Sequence, residues 1–140
     1  MTTAEHKERG NAFVARREWA QAESAYTAGI AAAPSSTAAG LHLLYGNRAH
    51  VRLAVCDYAG AKADAAKAAE LEPAWGKHHY RLARASNLLG EPGTAVEKHV
   101  KRALAADPGL AMTVAAGDAT DRGTMNAFAR VAGLWADADA

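Results

Sequence analysis

Residues 10–34 read GNAFVARREWAQAESAYTAGIAAAP, and this stretch decides the fold. Small and aromatic residues alternate in it at Gly10, Phe13, Ala22, Tyr26 and Gly29, and Pro34 closes it. The polar turn at 16–19 separates two helical segments, and proline ends the second because its ring cannot continue the hydrogen-bond ladder. Small residues let the two helices approach closely, while the aromatic rings fill the gap to a neighbouring unit. The stretch therefore predicts a helical hairpin that packs against further hairpins.

The same organisation recurs twice along the chain. The closing prolines are Pro34, Pro73 and Pro108, which are 39 and 35 residues apart. The corresponding turns are at 16–19, 55–58 and 89–93, and small residues recur at Ala49, Ala61, Ala65, Ala68, Ala83 and Ala95. Two positions depart from the pattern, because Arg52 and His99 stand where an aromatic residue is usual. A period near 34 residues is typical of tetratricopeptide helix–turn–helix units.

Composition agrees with a helical protein. Alanine occupies 38 of 140 positions, against one Ile and seven Val, which favours helices over an extensive sheet. A formal net charge of +1 argues against a basic nucleic-acid-binding surface. The single Cys56 excludes an internal disulfide, and no apolar run approaches the ~20 residues of a membrane span. We expect a soluble, cytoplasmic monomer that binds neither nucleic acid nor membrane.

The predicted architecture is all-α, a right-handed superhelix of three hairpins plus a C-terminal capping helix. The repeats occupy 1–108, at about 3–36, 37–75 and 76–108, and residues 109–140 supply the capping helix and an acidic tail. Stacked repeats need such a cap because the last hairpin leaves apolar surface uncovered. The predicted cap has Thr120 or Asp121 as its N-cap and the apolar stripe Met125, Phe128, Ala132 and Trp135.

The first helix of each hairpin lines a concave groove, and these helices carry polar residues. Lys7 and Asn11 are four residues apart, as are Lys77 and Arg81, so each pair shares a helix face, and Asn47 lies on the middle helix. Arginine can grip both oxygens of a carboxylate, and lysine adds charge. Asparagine can both donate to and accept from a peptide backbone. Together these side chains predict a receptor for the free carboxylate at the end of a peptide.

Three segments resemble the dicarboxylate-clamp tetratricopeptide domains of chaperone co-factors: KERGNAF at 7–13, NRA at 47–49 and WGKHHYR at 75–81. The resemblance implies that the groove clamps the C-terminal Glu-Glu-Val-Asp of heat-shock protein 90 or heat-shock protein 70 chaperones. Carried over by position, the clamp residues are Lys7, Asn11, Asn47, Lys77 and Arg81, with further groove contacts at Val14, His50 and Leu88. His50 replaces a small residue and Ala54 a basic one, so the choice between the two chaperones stays open.

Other interpretations of the same residues exist. Taken singly, each asparagine could make an inter-helix hydrogen bond, and each cation could belong to a solvated face. The alternative function is a structural scaffold that binds a partner helix or another acidic C-terminal peptide in an assembly. Nothing in the sequence indicates an enzyme or a cofactor. The adjacent His78 and His79 point about 100° apart on a helix, so the histidine spacing indicates no metal site.

Overall fold

The computed structural model describes residues 1–110, 122–131 and 133, and within these residues it is built from helices alone. There are seven of them: α1 (Thr3–Ala15), α2 (Trp19–Ala32), α3 (Leu41–Ala54), α4 (Tyr58–Leu71), α5 (Gly76–Leu88), α6 (Gly93–Ala106) and α7 (Arg122–Val131). None of these described helices is both long and apolar enough to cross a membrane. The predicted all-α fold is confirmed.

Consecutive helices form three hairpins, α1–α2, α3–α4 and α5–α6, and each second helix also packs against the hairpin that follows. The first helices also contact one another, α1 with α3 and α3 with α5. Side by side, α1, α3 and α5 form one face of the molecule, which we call the inner face. Every polar residue of the predicted clamp lies on one of these three helices.

The three hairpin turns share one backbone conformation, and each contains a residue with positive φ. These residues are Arg17 (57°), Cys56 (65°) and Gly90 (77°). After each, the next backbone N–H donates to a carbonyl five residues earlier: Glu18 to Phe13 at 2.9 Å, Asp57 to Arg52 at 2.8 Å and Glu91 to Ser86 at 3.0 Å. Glycine adopts this left-handed conformation without steric cost, whereas Arg17 and Cys56 are strained there.

A buried ion-pair network joins α3 to α4. The Asp64 carboxylate, 3% exposed, accepts from Arg48 Nε at 2.8 Å, Arg48 Nη2 at 2.7 Å and Arg52 Nη1 at 3.0 Å. Buried charges are tolerated only when they are paired in this way. At position 52, where an aromatic residue is usual, Arg52 instead binds Asp64, and this contact links the two helices of the second hairpin.

The predicted capping helix corresponds to α7, which packs on α6 and α5. Phe128 is 1% exposed and meets the Tyr80 ring edge-to-face at 5.4 Å, within a cluster that includes Val96 and Val100. Met125 packs against the same cluster. The other residues predicted for this helix, Thr120, Asp121, Ala132 and Trp135, and the acidic tail lie outside the described residues.

Candidate functional site

Two asparagines meet where the first hairpin faces the second. Asn47 Nδ2 on α3 donates to Asn11 Oδ1 on α1 at 3.2 Å, and the buried Tyr26 hydroxyl on α2 donates to the same oxygen at 2.5 Å. Burial raises the pKa of Tyr26 to about 12, against the lowering effect of Arg81, so the phenol stays a donor. These two bonds use neither the Asn11 amide N–H groups nor the Asn47 amide oxygen.

Arg81 joins this group from α5. A Cβ built on Gly46 would lie 2.9 Å from Arg81 Nη1, so the guanidinium lies over a stretch of α3 that has no side chain. Burial lowers the pKa of Arg81, and the neighbouring Arg84 lowers it further, while Tyr26 and Tyr80 oppose the change. No carboxylate of the described residues pairs with Arg81. The inner face thus holds a partly buried cation for which the described part of the chain provides no counter-ion.

The two lysines are placed differently relative to this group. Lys7 is half-buried on α1, one turn before Asn11. Burial lowers the pKa of His42 on α3, Glu72 opposes this change, and the charge of Lys7 adds to it. Lys77 is exposed on the first turn of α5, one turn before Arg81. The structure therefore brings Asn11, Asn47 and Arg81 to one place and Lys7 near it, whereas Lys77 is related to them only by its helix face.

The three further groove residues are placed differently from one another. Val14 packs against the buried core between the first two hairpins, and Leu88 packs against the cluster around Leu53. His50 lies on the inner side of α3, where its ring meets Trp19 edge-to-face at 6.4 Å. Burial lowers the pKa of His50, and the cations Arg81 and Arg84 lower it further. Of the three, His50 is the one electrostatically coupled to Arg81.

Sequence reasoning missed the side chains that support this group. Tyr26 was interpreted as packing, and His78 was considered only as a metal ligand, yet Tyr26 fixes Asn11 and His78 lies beside Arg81. The His42–His78 hydrogen bond joins residues 36 apart, the same separation as Asn11 and Asn47. Polar residues spaced one repeat apart are therefore the sequence signal that could have predicted the His42–His78 contact.

Known proteins resemble this chain in sequence over about two thirds or more of its length. No protein-family model matches the chain. The E3 ubiquitin-protein ligase TTC3 of Rattus norvegicus is 36% identical over 95 residues, 68% of this chain and 4% of the ligase. The STIP1 homolog of Dictyostelium discoideum is 35% identical over 104 residues, 74% of this chain and 17% of that protein. The chain thus spans a small part of both relatives.

Solved structures match the chain over most of its length. The first TPR domain of Spaghetti (RPAP3), bound to the HSP90 peptide SRMEEVD, has a TM-score of 0.72 and 21% identity, covering 97% of this chain and 94% of that one. The second TPR domain of human RPAP3, in complex with the HSP70 peptide SGPTIEEVD, has a TM-score of 0.68 and 25% identity, covering 88% and 91%. The chain therefore has the tetratricopeptide-repeat fold of these two TPR domains.

Proposed function

We propose that this chain is a chaperone-binding module whose groove clamps the C-terminal carboxylates of an acidic peptide. The ligand is the EEVD end of a heat-shock chaperone of the 90-kDa or 70-kDa class. The proposed clamp consists of Lys7, Asn11, Asn47, Lys77 and Arg81, with His50 as a further contact in the groove. Val14 and Leu88 would contribute through the apolar packing beneath it.

The lack of a counter-ion for Arg81 carries this proposal. The scaffold cations Arg48 and Arg52 both bind Asp64, so this chain pairs the charges that it buries for stability. Arg81 is desolvated and has no carboxylate of its own among the described side chains. A partly buried cation without a partner is costly, and the carboxylate of a ligand would reduce that cost.

The remaining hydrogen-bond capacity suits a peptide end. Arg81 offers a planar fork to the carboxylate, and the two lysines add charge around it. The free amide N–H groups of Asn11 can donate to a peptide carbonyl, while the free amide oxygen of Asn47 can accept from a peptide N–H. Because Tyr26 already fixes Asn11, this part of the groove needs little ordering when the ligand binds.

The comparisons support the same ligand. The two RPAP3 domains match this chain over 88% of its length or more, and the peptide bound to each of them ends in EEVD. The Dictyostelium relative is a STIP1 homolog, and yeast Heat shock protein STI1 is 29% identical over 107 residues. We infer that the chain acts by binding in the cytoplasm and has no chemistry of its own; its match to the ligase covers 4% of that protein.

Calorimetric titration of the peptide SRMEEVD tests the proposal, with the free acid beside the C-terminal amide. We expect the free acid to bind and the amide to bind about tenfold more weakly or worse, because one charge-assisted contact is lost. Arg81→Ala should abolish most binding, whereas Arg102→Ala, an exposed cation on α6, should not. Equal affinity for acid and amide would reject the proposal in favour of a scaffold that binds partner helices.

A further inference from the structure

His78 is a buried imidazole on the inner face that the proposed clamp does not use. It is 0% exposed, and its Nε2 lies 2.8 Å from His42 Nδ1. The Trp75 ring stacks on it, with centroids 6.1 Å apart, and meets His42 edge-to-face at 5.3 Å. His78 thus has one fixed partner and little freedom to rotate.

The other nitrogen of His78 faces the clamp. A Cβ built on Gly46 would lie 2.7 Å from His78 Nδ1 and 2.9 Å from Arg81 Nη1, so both atoms border the same small space. That Nδ1 is buried and has no hydrogen-bond partner among the described residues. Gly46 makes this arrangement possible, because any larger residue would displace the imidazole or the guanidinium.

The charges around His78 determine which nitrogen carries the proton. Burial, together with the nearby Arg81, His42 and His79, lowers the pKa of His78 to about 3, so the ring is neutral near pH 7. A neutral imidazole donates from one nitrogen and accepts at the other. A bare Nδ1 lone pair is attracted by the guanidinium, whereas an N–H at that site would be repelled. The ring therefore donates from Nε2 to His42 and presents Nδ1 as an acceptor toward Arg81.

We propose that His78 is a positioning residue for the clamp: held by His42, it orients the Arg81 guanidinium toward the peptide carboxylate. This inference rests on the proposed function and adds a residue to it. With neutral His78 on one side, Arg81 faces the lone pair of Nδ1 and no neutralising charge. Its full positive charge remains available to the ligand, which a carboxylate at position 78 would have prevented.

Two substitutions of His78 distinguish the contributions of its two ring nitrogens. The side-chain oxygen of asparagine falls near the position of Nδ1, whereas that of glutamine falls near Nε2. His78→Asn keeps an acceptor near the Nδ1 position but loses the bond to His42, so we expect it to retain more of the preference for free-acid over amidated SRMEEVD than His78→Gln, which should reduce that preference about tenfold. His78→Phe, which has no acceptor, should behave like His78→Gln. A structural role alone would lower the melting temperature of all three and leave the acid-to-amide ratio unchanged.

A double-mutant cycle tests whether the effect passes through Arg81. In the Arg81→Lys background, His78→Phe should change free-acid affinity less than about twofold, because the group that it positions is gone. An undiminished tenfold loss in that background would overturn the inference. If His78→Phe does not fold, His42→Phe provides the same cycle, since it removes the group that holds the imidazole.

A readout without peptide separates this inference from the proposed function. In the wild type, the Arg81 Nε–H signal, identified by its absence in Arg81→Lys, should exchange slowly with water. His78→Phe should accelerate that exchange at least about fivefold relative to global unfolding. Slow exchange that survives His78→Phe would overturn the positioning role. Loss of slow exchange in His78→Phe, together with equal acid and amide binding by the wild type, would reject the peptide proposal and keep the His78–Arg81 contact.

Discussion

The side chain of Asn47 donates to the side chain of Asn11 at 3.2 Å across the boundary between the first and second hairpins. Asn11 and Asn47 are 36 residues apart, so equivalent helices of consecutive repeats bring them together. The contact uses one group of each amide and leaves the others for a ligand. Stacking of the repeats thereby produces a polar site that neither hairpin holds alone.

Removing the Tyr26 hydroxyl should weaken peptide binding more than it weakens the fold. Tyr26→Phe deletes the 2.5 Å bond to Asn11 Oδ1 and leaves Asn11 held by Asn47 alone. We expect a loss of about 1 kcal/mol in the free energy of unfolding and a severalfold loss of affinity for free-acid SRMEEVD. Urea unfolding and calorimetry measure the two, with Tyr45→Phe as the matched control. Unchanged affinity would mean that Asn11 binds the peptide equally well without the hydrogen bond from Tyr26.

Neutralising Asp64 should destabilise the protein strongly. Asp64→Asn leaves Arg48 and Arg52 without their shared carboxylate in a site that is 3% exposed. We expect the free energy of unfolding to fall by about 3 kcal/mol or more in urea. Glu70→Gln, which removes an exposed pair with Lys67 at 3.7 Å, should cost less than about 1 kcal/mol. Similar losses for the two variants would contradict a structural role for the Asp64 network.

Replacing Cys56 by glycine should stabilise the second hairpin. Cys56 is exposed and has φ 65° in a turn where the third hairpin has Gly90 at 77°. Glycine removes the steric cost of this conformation but makes the unfolded chain more flexible. The steric cost is larger than the entropic cost by about 0.5–1 kcal/mol, so the net effect is stabilising. Thermal melting should place Cys56→Gly above both the wild type and Cys56→Ala. A melting temperature for the glycine variant at or below that of Cys56→Ala would show that the turn is not strained.

Stability should fall as the solution is acidified below about pH 6.5. His78 has its pKa lowered to about 3 in the folded protein, against about 6.5 for an unfolded chain. Between these values the unfolded state binds the extra proton, so the free energy of unfolding decreases by about 1.4 kcal/mol per pH unit from this group. From pH 6.5 to pH 5 we expect His78 to account for a loss of about 1.6 kcal/mol in urea titrations, because the unfolded imidazole is already half protonated at pH 6.5. His78→Phe should flatten this dependence, and an equal slope in both proteins would contradict the neutral, buried imidazole.

Much of the fold follows from local sequence signals. Each of the three prolines stands two residues after the last residue of a second helix, for example Ala32 before Pro34. The predicted turn at 16–19 lies where α1 gives way to α2, because the polar run there interrupts the apolar pattern. These features depend on short-range chemistry that a single repeat contains.

The polar site was only partly predictable. The types and repeat positions of Asn11, Asn47 and Arg81 indicated a carboxylate receptor, because equivalent helices lie side by side in a repeat array. The role of Gly46 was not visible, since a missing side chain on α3 has meaning only once His78 and Arg81 of α5 lie over it. Contacts between repeats depend on the stacking geometry, which no single segment of sequence encodes.

The most direct test of the central claim is an NMR titration of isotope-labelled protein with free-acid SRMEEVD. We expect the free acid to shift the side-chain amide signals of Asn11 and Asn47 and the Nε–H signal of Arg81, and the C-terminal amide to shift them far less. A separate groove of about 790 Å³ lies between α4, α5 and α6, lined by Ala66, Ala69, Leu82 and Ala105. Shifts confined to that groove, or identical shifts at Asn11, Asn47 and Arg81 with acid and amide, would contradict the claim that the inner face recognises a chain-terminal carboxylate.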